Sequence, residues 1–412
     1  MKKSFLVFCL FHAALAAAQS GSAPANTNLS PAEIELAQAR KAILEKPTEY
    51  TAYNLLATGL LRSAQKTFDA VIYAQAEEAV KKSLELAPNN FDAEKIQASI
   101  LLAEHEYPAA LELAKALNKR VPDDVMVYGL LTDANVELGN YEDAEDSAQW
   151  MLNLRPGNLP ALTRAAHLRE LFGDPEGALD LFDLAYQSTP PTEIGERASI
   201  LTQMGYLRLA SGNTEAAEKF FSHALQSFPN YPSALGNLAQ VRIVQKRYAE
   251  AVLLLQQRYQ SEPRAKNLYD LAEALHLAGC PSEAKQAFAE FETKSLAESH
   301  RNDNSNRELV FYYADHVHRP ANALDVAQRE YAWRHDVYTL DAYAWALHIS
   351  GKDAEARKQI ETALAVGIRN SEIFLHAGEI ALSVGDAQAA ERYLKQSASM
   401  NAVESEQAAA KK

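Results

Sequence analysis

The thiol and imidazole groups are the first candidates for chemistry. There are two cysteines, Cys9 and Cys280. Cys280 stands between Gly279 and Pro281 in a turn sequence, with no second thiol near it, so neither a CxxC redox pair nor an intrachain disulfide is indicated. Seven of the eleven histidines fall between His276 and His376. His316 and His318 are two residues apart, and side chains at that spacing on a helix diverge. No three-ligand spacing marks a metal site. There is no GxSxG, HExxH or P-loop, and no GxGxxG following a strand. The carboxylates are numerous but scattered. The chain is therefore read as a non-enzyme with no cofactor and no metal.

The elements that would position any site come from an internal repeat. Ala76, Ala110, Ala144, Ala178, Ala217, Ala251, Ala284, Ala323, Ala356 and Ala390 follow one another at 33 to 39 residues, mostly 34. Pro88, Pro122, Pro156, Pro190, Pro229 and Pro263 each lie twelve residues after one of these alanines. Between them, apolar residues recur at three- and four-residue steps in two segments, split by a turn such as Gly139-Asn140. Each unit thus reads as an antiparallel helix pair.

This pattern resembles the tetratricopeptide repeat family over roughly residues 31–402. In that family, positions eight and twenty of each unit are small because the two helices touch there. Position twenty is Ala in all ten units, and position eight is Ala57, Ala98, Thr132, Ala166, Gly205, Ala239, Ala272, Ala344 or Gly378, with Phe311 breaking the pattern in unit 8. The resemblance implies an all-α right-handed solenoid of about ten units whose units contact only their sequence neighbours. It also implies a concave groove at positions two, five, nine, twelve and thirteen of each first helix. There the C-terminal units carry Tyr269, Glu273, Tyr312, Asp315, Tyr338, Asp341, Trp345 and Glu379, with His276, His316 and His348 on the same face. The middle units carry Gly129, Asp133, Thr163, His167, Gly236 and Gln240. Aromatic side chains interleaved with acids suit a protein or peptide groove, since they give large contact area with few rotors to freeze. The expected partner-binding residues are Tyr269, Tyr312, Asp315, Tyr338, Asp341, Trp345 and His348, with Trp345 as anchor beside Asp341 and His348. The family's clamp for chaperone C-terminal carboxylates is not expected, because Ser99 stands where that pattern wants Asn and the C-terminal groove is acidic.

Residues 1–18 read as a cleaved signal peptide: Lys2 and Lys3, an apolar run from Phe5 to Leu15, then Ala16-Ala17-Ala18. Residues 19–30 read as a disordered linker, 31–48 as an N-terminal capping helix opened by Ser30-Pro31-Ala32-Glu33, 49–292 as units 1–7, 293–303 as a polar connection with a kink, 304–402 as units 8–10 and 403–412 as a disordered tail. Extra residues at 62–75 and 191–197 are expected in loops. The net charge of −14 argues against nucleic-acid and anionic-lipid binding. The reading is a periplasmic or secreted scaffold that binds a protein or peptide in its groove. The alternative is a glycan- or small-molecule-binding subunit of a cell-envelope complex.

Overall fold

The computed structural model describes residues 31–67, 70–299 and 304–400. The leader, the linker, the Ser30 end of the cap, residues 300–303 of the polar connection and the tail lie outside the described residues.

Helix α1 (Pro31–Glu45) packs on the first of ten antiparallel pairs. Units 1 to 4 are α2 (Tyr50–Thr67) with α3 (Ala70–Leu86), α4 (Phe91–Ala103) with α5 (Tyr107–Arg120), α6 (Val125–Glu137) with α7 (Tyr141–Leu154), and α8 (Leu159–Leu171) with α9 (Pro175–Ser188). Units 5 to 7 are α10 (Ile194–Ala210) with α11 (Thr214–Ser227), α12 (Pro232–Val244) with α13 (Tyr248–Ser261), and α14 (Ala265–Leu277) with α15 (Pro281–Glu298). Units 8 to 10 are α16 (Asn306–Phe311) with α17 (Pro320–Tyr331), α18 (Val337–Ile349) with α19 (Asp353–Ala365), and α20 (Ser371–Ser383) with α21 (Ala387–Met400). Asn90, Asp124, Asn158, Asp336 and Asn370 cap first helices by accepting from backbone N–H groups that have no intrahelical partner. Every alanine at position twenty is at most 2% exposed. Where the facing helix brings a large side chain, position eight is glycine: a methyl on Gly205 would stand 2.5 Å from the Phe221 ring. Ala178→Leu should therefore overpack α8 against α9 and cost ~1–3 kcal/mol. Calorimetry would read this as a lowered melting transition, and an unchanged one would refute the register.

Two expectations are corrected, and the break at Phe311 finds its cause. The extra residues go mostly into helices rather than loops: 62–67 and 70–75 lengthen α2 and α3 to 18 and 17 residues, 194–197 lengthen α10 to 17 after a short turn at 191–193, and α15 likewise runs on through Glu298. Unit 8 departs at Phe311 because α16 gives way to a π turn over Tyr312–His316, which absorbs an extra residue. Most consequentially, units do not contact only their sequence neighbours. One buried cluster joins Ala144, Ala148, Leu168 and Leu171 of units 3 and 4 to Val337, Leu340, Leu347 and Ile373 of units 9 and 10.

The superhelix is wound so tightly that its C-terminal third returns onto the turns of units 3 to 5. A methyl on Gly139 would stand 2.6 Å from the His335 carbonyl oxygen, and one on Gly173 would run into the Gly367 carbonyl. Gly212 lies under Ser399 in the same way, at 3.4 Å. The Tyr141 hydroxyl accepts from the Val337 N–H at 3.0 Å, and Arg334 donates to the Tyr107 hydroxyl at 2.7 Å. Among the described residues, no helix is long and apolar enough to cross a membrane.

Candidate functional site

The closed winding divides the concave face. In units 2 to 4 it stays open as a cleft of about 630 Å³, with Leu102, Met126, Leu130 and Val136 as its apolar lining and Asp133, Glu137 and His167 among its polar groups. Asp133 and Glu137 are one turn apart on α6, so both project from the same face. Asp133 takes a two-pronged contact from Arg164, Nε at 2.7 Å and Nη2 at 2.5 Å. Glu137 lies 3.3 Å from Arg334, which arrives from the end of α17 and also touches His105 and the Tyr107 ring. Burial raises the Glu137 carboxyl above its ordinary range, and Arg334 only partly offsets that. His167 is 46% exposed yet pairs with Glu170 at 3.2 Å. Desolvation works against its charged form, but the Glu170 carboxylate overrides it and its pKa rises.

The residues named from sequence in units 7 to 9 are not part of the cleft lining, and several of them are packed. Asp341 is 0% exposed and holds His376 of unit 10 at 2.8 Å. Tyr312 is 6% exposed and stacks on Phe288. Asp341 and Tyr312 are thus committed to internal contacts. Tyr269 rests on Phe291 and Phe288. Tyr338 faces the Tyr206 hydroxyl and the Arg307 guanidinium. Trp345, Asp315 and His348 keep partial exposure. The Trp345 indole N–H donates to Asp315 at 3.3 Å, and its ring stacks on His376 with centroids 4.3 Å apart. His348 does not meet Asp341; it pairs with Asp353 at 2.6 Å. His276 and His316 do approach, with ring centroids 6.0 Å apart, while His316 is held by Glu273. Among the described residues no three His, Cys, Asp or Glu side chains converge as for a metal ion.

The cleft was legible as an absence. Gly129, Asp133, Thr163 and His167 are small or polar where the C-terminal units place Tyr and Trp. Small groove residues leave the concavity unfilled, whereas the large aromatics fill their own part of it. What no local pattern announces is Arg334, which enters from a distant unit.

A tetratricopeptide-repeat family profile matches residues 208–268. Over 107 residues the chain is 35% identical to cellulose synthase operon protein C of Xanthomonas axonopodis pv. citri (strain 306), covering 26% of this chain and 7% of that protein. Over 164 residues it is 26% identical to TPR repeat-containing protein MJ1428 of Methanocaldococcus jannaschii, covering 38% and 28%. The chain thus spans well under two thirds of the length of both relatives. Among solved structures, the human IFIT1 dimer with PPP-AAAA superposes with a TM-score of 0.50 at 12% identity, covering 90% of this chain and 95% of that one. That likeness is one of fold alone.

Proposed function

The chain is a tetratricopeptide-repeat protein, and we propose that it is a non-catalytic scaffold of the cell envelope that holds a segment of another protein on its concave face. The observation that carries this reading is the open cleft in units 2 to 4, left beside the seam where units 9 and 10 pack onto units 3 and 4. An apolar lining with a few polar groups is what a binding pocket presents. Trp345, Asp315 and His348 would form a second contact wall, with Tyr269, Tyr312, Tyr338 and Asp341 supporting it from behind. Export through residues 1–18 would place the scaffold in the periplasm or outside the cell.

The test is site-specific photocrosslinking in envelope fractions, with the crosslinker at Met126 or Thr163 in the cleft and at exposed Leu253 as control. One discrete protein adduct from Met126 and Thr163, absent from Leu253, is the expected result. Adducts from all three alike would refute a specific groove. The second reading, a glycan-binding envelope subunit, draws on the stretch shared with cellulose synthase operon protein C. Binding of oligosaccharide to the purified chain, with no protein adduct from the cleft, would favour it.

A further inference from the structure

We infer that the cleft of units 2 to 4 recognises the cationic side chains of a basic peptide segment, and that Arg334 is the chain's own occupant of one such position. This rests on the groove reading above and names the chemistry of its partner.

The chain already displays what this cleft accepts. Both carboxylates on the inner face of α6 hold a guanidinium, Asp133 that of Arg164 and Glu137 that of Arg334. Arg334 meets several guanidinium-binding groups at the rim, besides the Glu330 carboxylate at 3.3 Å one turn back in its own chain segment. The Tyr107 ring lies under it at 5.1 Å, the Tyr107 hydroxyl accepts at 2.7 Å, and the Glu137 carboxylate stands at 3.3 Å. The fit is nonetheless incomplete, because the buried Nε of Arg334 has no hydrogen-bond partner. Burial also pushes the Glu137 carboxyl toward its neutral form despite Arg334, so a further cation would favour its charged form. A second cation reaching into the cleft would therefore be stabilised where water is scarce. The wider charge pattern agrees. The five groove positions of units 2 to 10 hold ten acidic residues against two lysines, Lys95 and Lys266, and four histidines, and those nearest the cleft, Asp133 and Glu137, are the ones that hold guanidinium groups. Leu102, Met126 and Leu130 offer the adjoining apolar surface, so a segment mixing Lys or Arg with Leu-like residues matches both halves. Acidic peptides would meet Asp133 and Glu137 at close range and be rejected.

The experiment is fluorescence anisotropy on the full mature chain, with short labelled peptides of Lys/Leu, Glu/Leu and Ser/Leu composition and a chito-oligosaccharide. The Lys/Leu peptide should bind, and more weakly as salt rises. Glu137→Gln and Asp133→Asn should each weaken it about tenfold, while Glu145→Gln on the exposed outer surface should leave it unchanged. Arg334→Gln should tighten it, because the Tyr107 and Glu137 seat is released. The seam keeps its apolar cluster and the Tyr141 contact in that variant, and unchanged melting curves would establish that each variant folds. Equal binding of the Lys/Leu and Glu/Leu peptides, or an Arg334→Gln variant with no gain, overturns the inference and leaves the groove reading standing. Binding of the oligosaccharide with none of any peptide overturns both.

Discussion

Gly173→Asn should open the seam between the two ends of the superhelix, while Gly279→Asn should leave it closed. The two glycines occupy the same place in their units, just past the first helix, with φ of +78° and +73°. That conformation favours glycine, but it does not demand it in this fold. His105, Lys246 and His318 stand at the equivalent place in units 2, 6 and 8 with φ of 63°, 58° and 50°. Asparagine tolerates the left-handed region well among non-glycine residues. What separates the two sites is their surroundings. Nothing lies within 4 Å of a methyl placed on Gly279, whereas one on Gly173 meets the Gly367 carbonyl oxygen, which is backbone and cannot rotate away. Gly367 is equally confined from its own side, where a methyl would stand 2.8 Å from the Phe172 carbonyl oxygen. The clash at Gly173 should cost ~1–3 kcal/mol, as overpacking does, against ~0.5 kcal/mol at Gly279. Small-angle scattering should give a larger radius of gyration for Gly173→Asn alone, and protease should cut units 8 to 10 faster. If the two variants behave alike, the seam contributes nothing to the fold. Gly139, under His335, should follow Gly173.

The repeat architecture was legible because it is set by short-range sterics. Two helices can touch only where Ala144 or Ala178 is small, and that constraint recurs with the unit. The seam escaped because it pairs residues about 200 positions apart, such as Tyr141 with Val337 and Tyr107 with Arg334. Periodicity reports what each unit does to its neighbour. It is silent on how many units complete one superhelical turn, and that number decides which faces meet. The aromatic positions show the same limit. The repeat register assigns Tyr312, Tyr338 and Trp345 to the inner face, but a register position and an open surface are different properties, as the packing of Tyr312 on Phe288 shows. Gly173, like Gly139, meets the seam, yet in the sequence it is indistinguishable from Gly279 until the fold places Gly367 against it.

Raising the pH through 9 should loosen units 8 to 10 before the rest of the chain. His376 is 5% exposed, with its Nδ1 at 2.8 Å from Asp341. Its ring lies between Trp345 and Phe311, at 4.3 and 5.5 Å between centroids. Burial works against a charged imidazole here, but the Asp341 carboxylate overrides it, with Glu372 and Asp315 adding to the field, and the pKa is pushed up to about 9. The same ring titrates near 6.5 in the unfolded chain. Folding therefore takes up a proton between those two values. The contribution of the pair is complete below about 6.5, declines as pH rises, and is lost once the folded ring deprotonates near 9. The gap corresponds to roughly 3 kcal/mol. Breaking the pair from the other side should act at all pH values where the ring is charged. Asp341→Ala leaves His376 buried without the carboxylate that pairs with its Nδ1, a change of ~3–5 kcal/mol. Removing both charges together, as Asp341→Leu with His376→Phe, should be far milder, because well-packed apolar groups of similar volume replace buried ion pairs at little cost. It should also abolish the pH dependence. Amide hydrogen exchange read unit by unit at pH 6 and pH 9.5 would resolve the effect. Units 8 to 10 of the wild type should lose protection at the higher pH relative to units 1 to 7, and those of the double variant should not. Loss of protection spread evenly over all ten units, or retained in the double variant, would place the titrating group elsewhere. Trp345 stacks on this same ring, so the exposed edge of the second contact wall should be held in place most firmly at the pH values where His376 is charged.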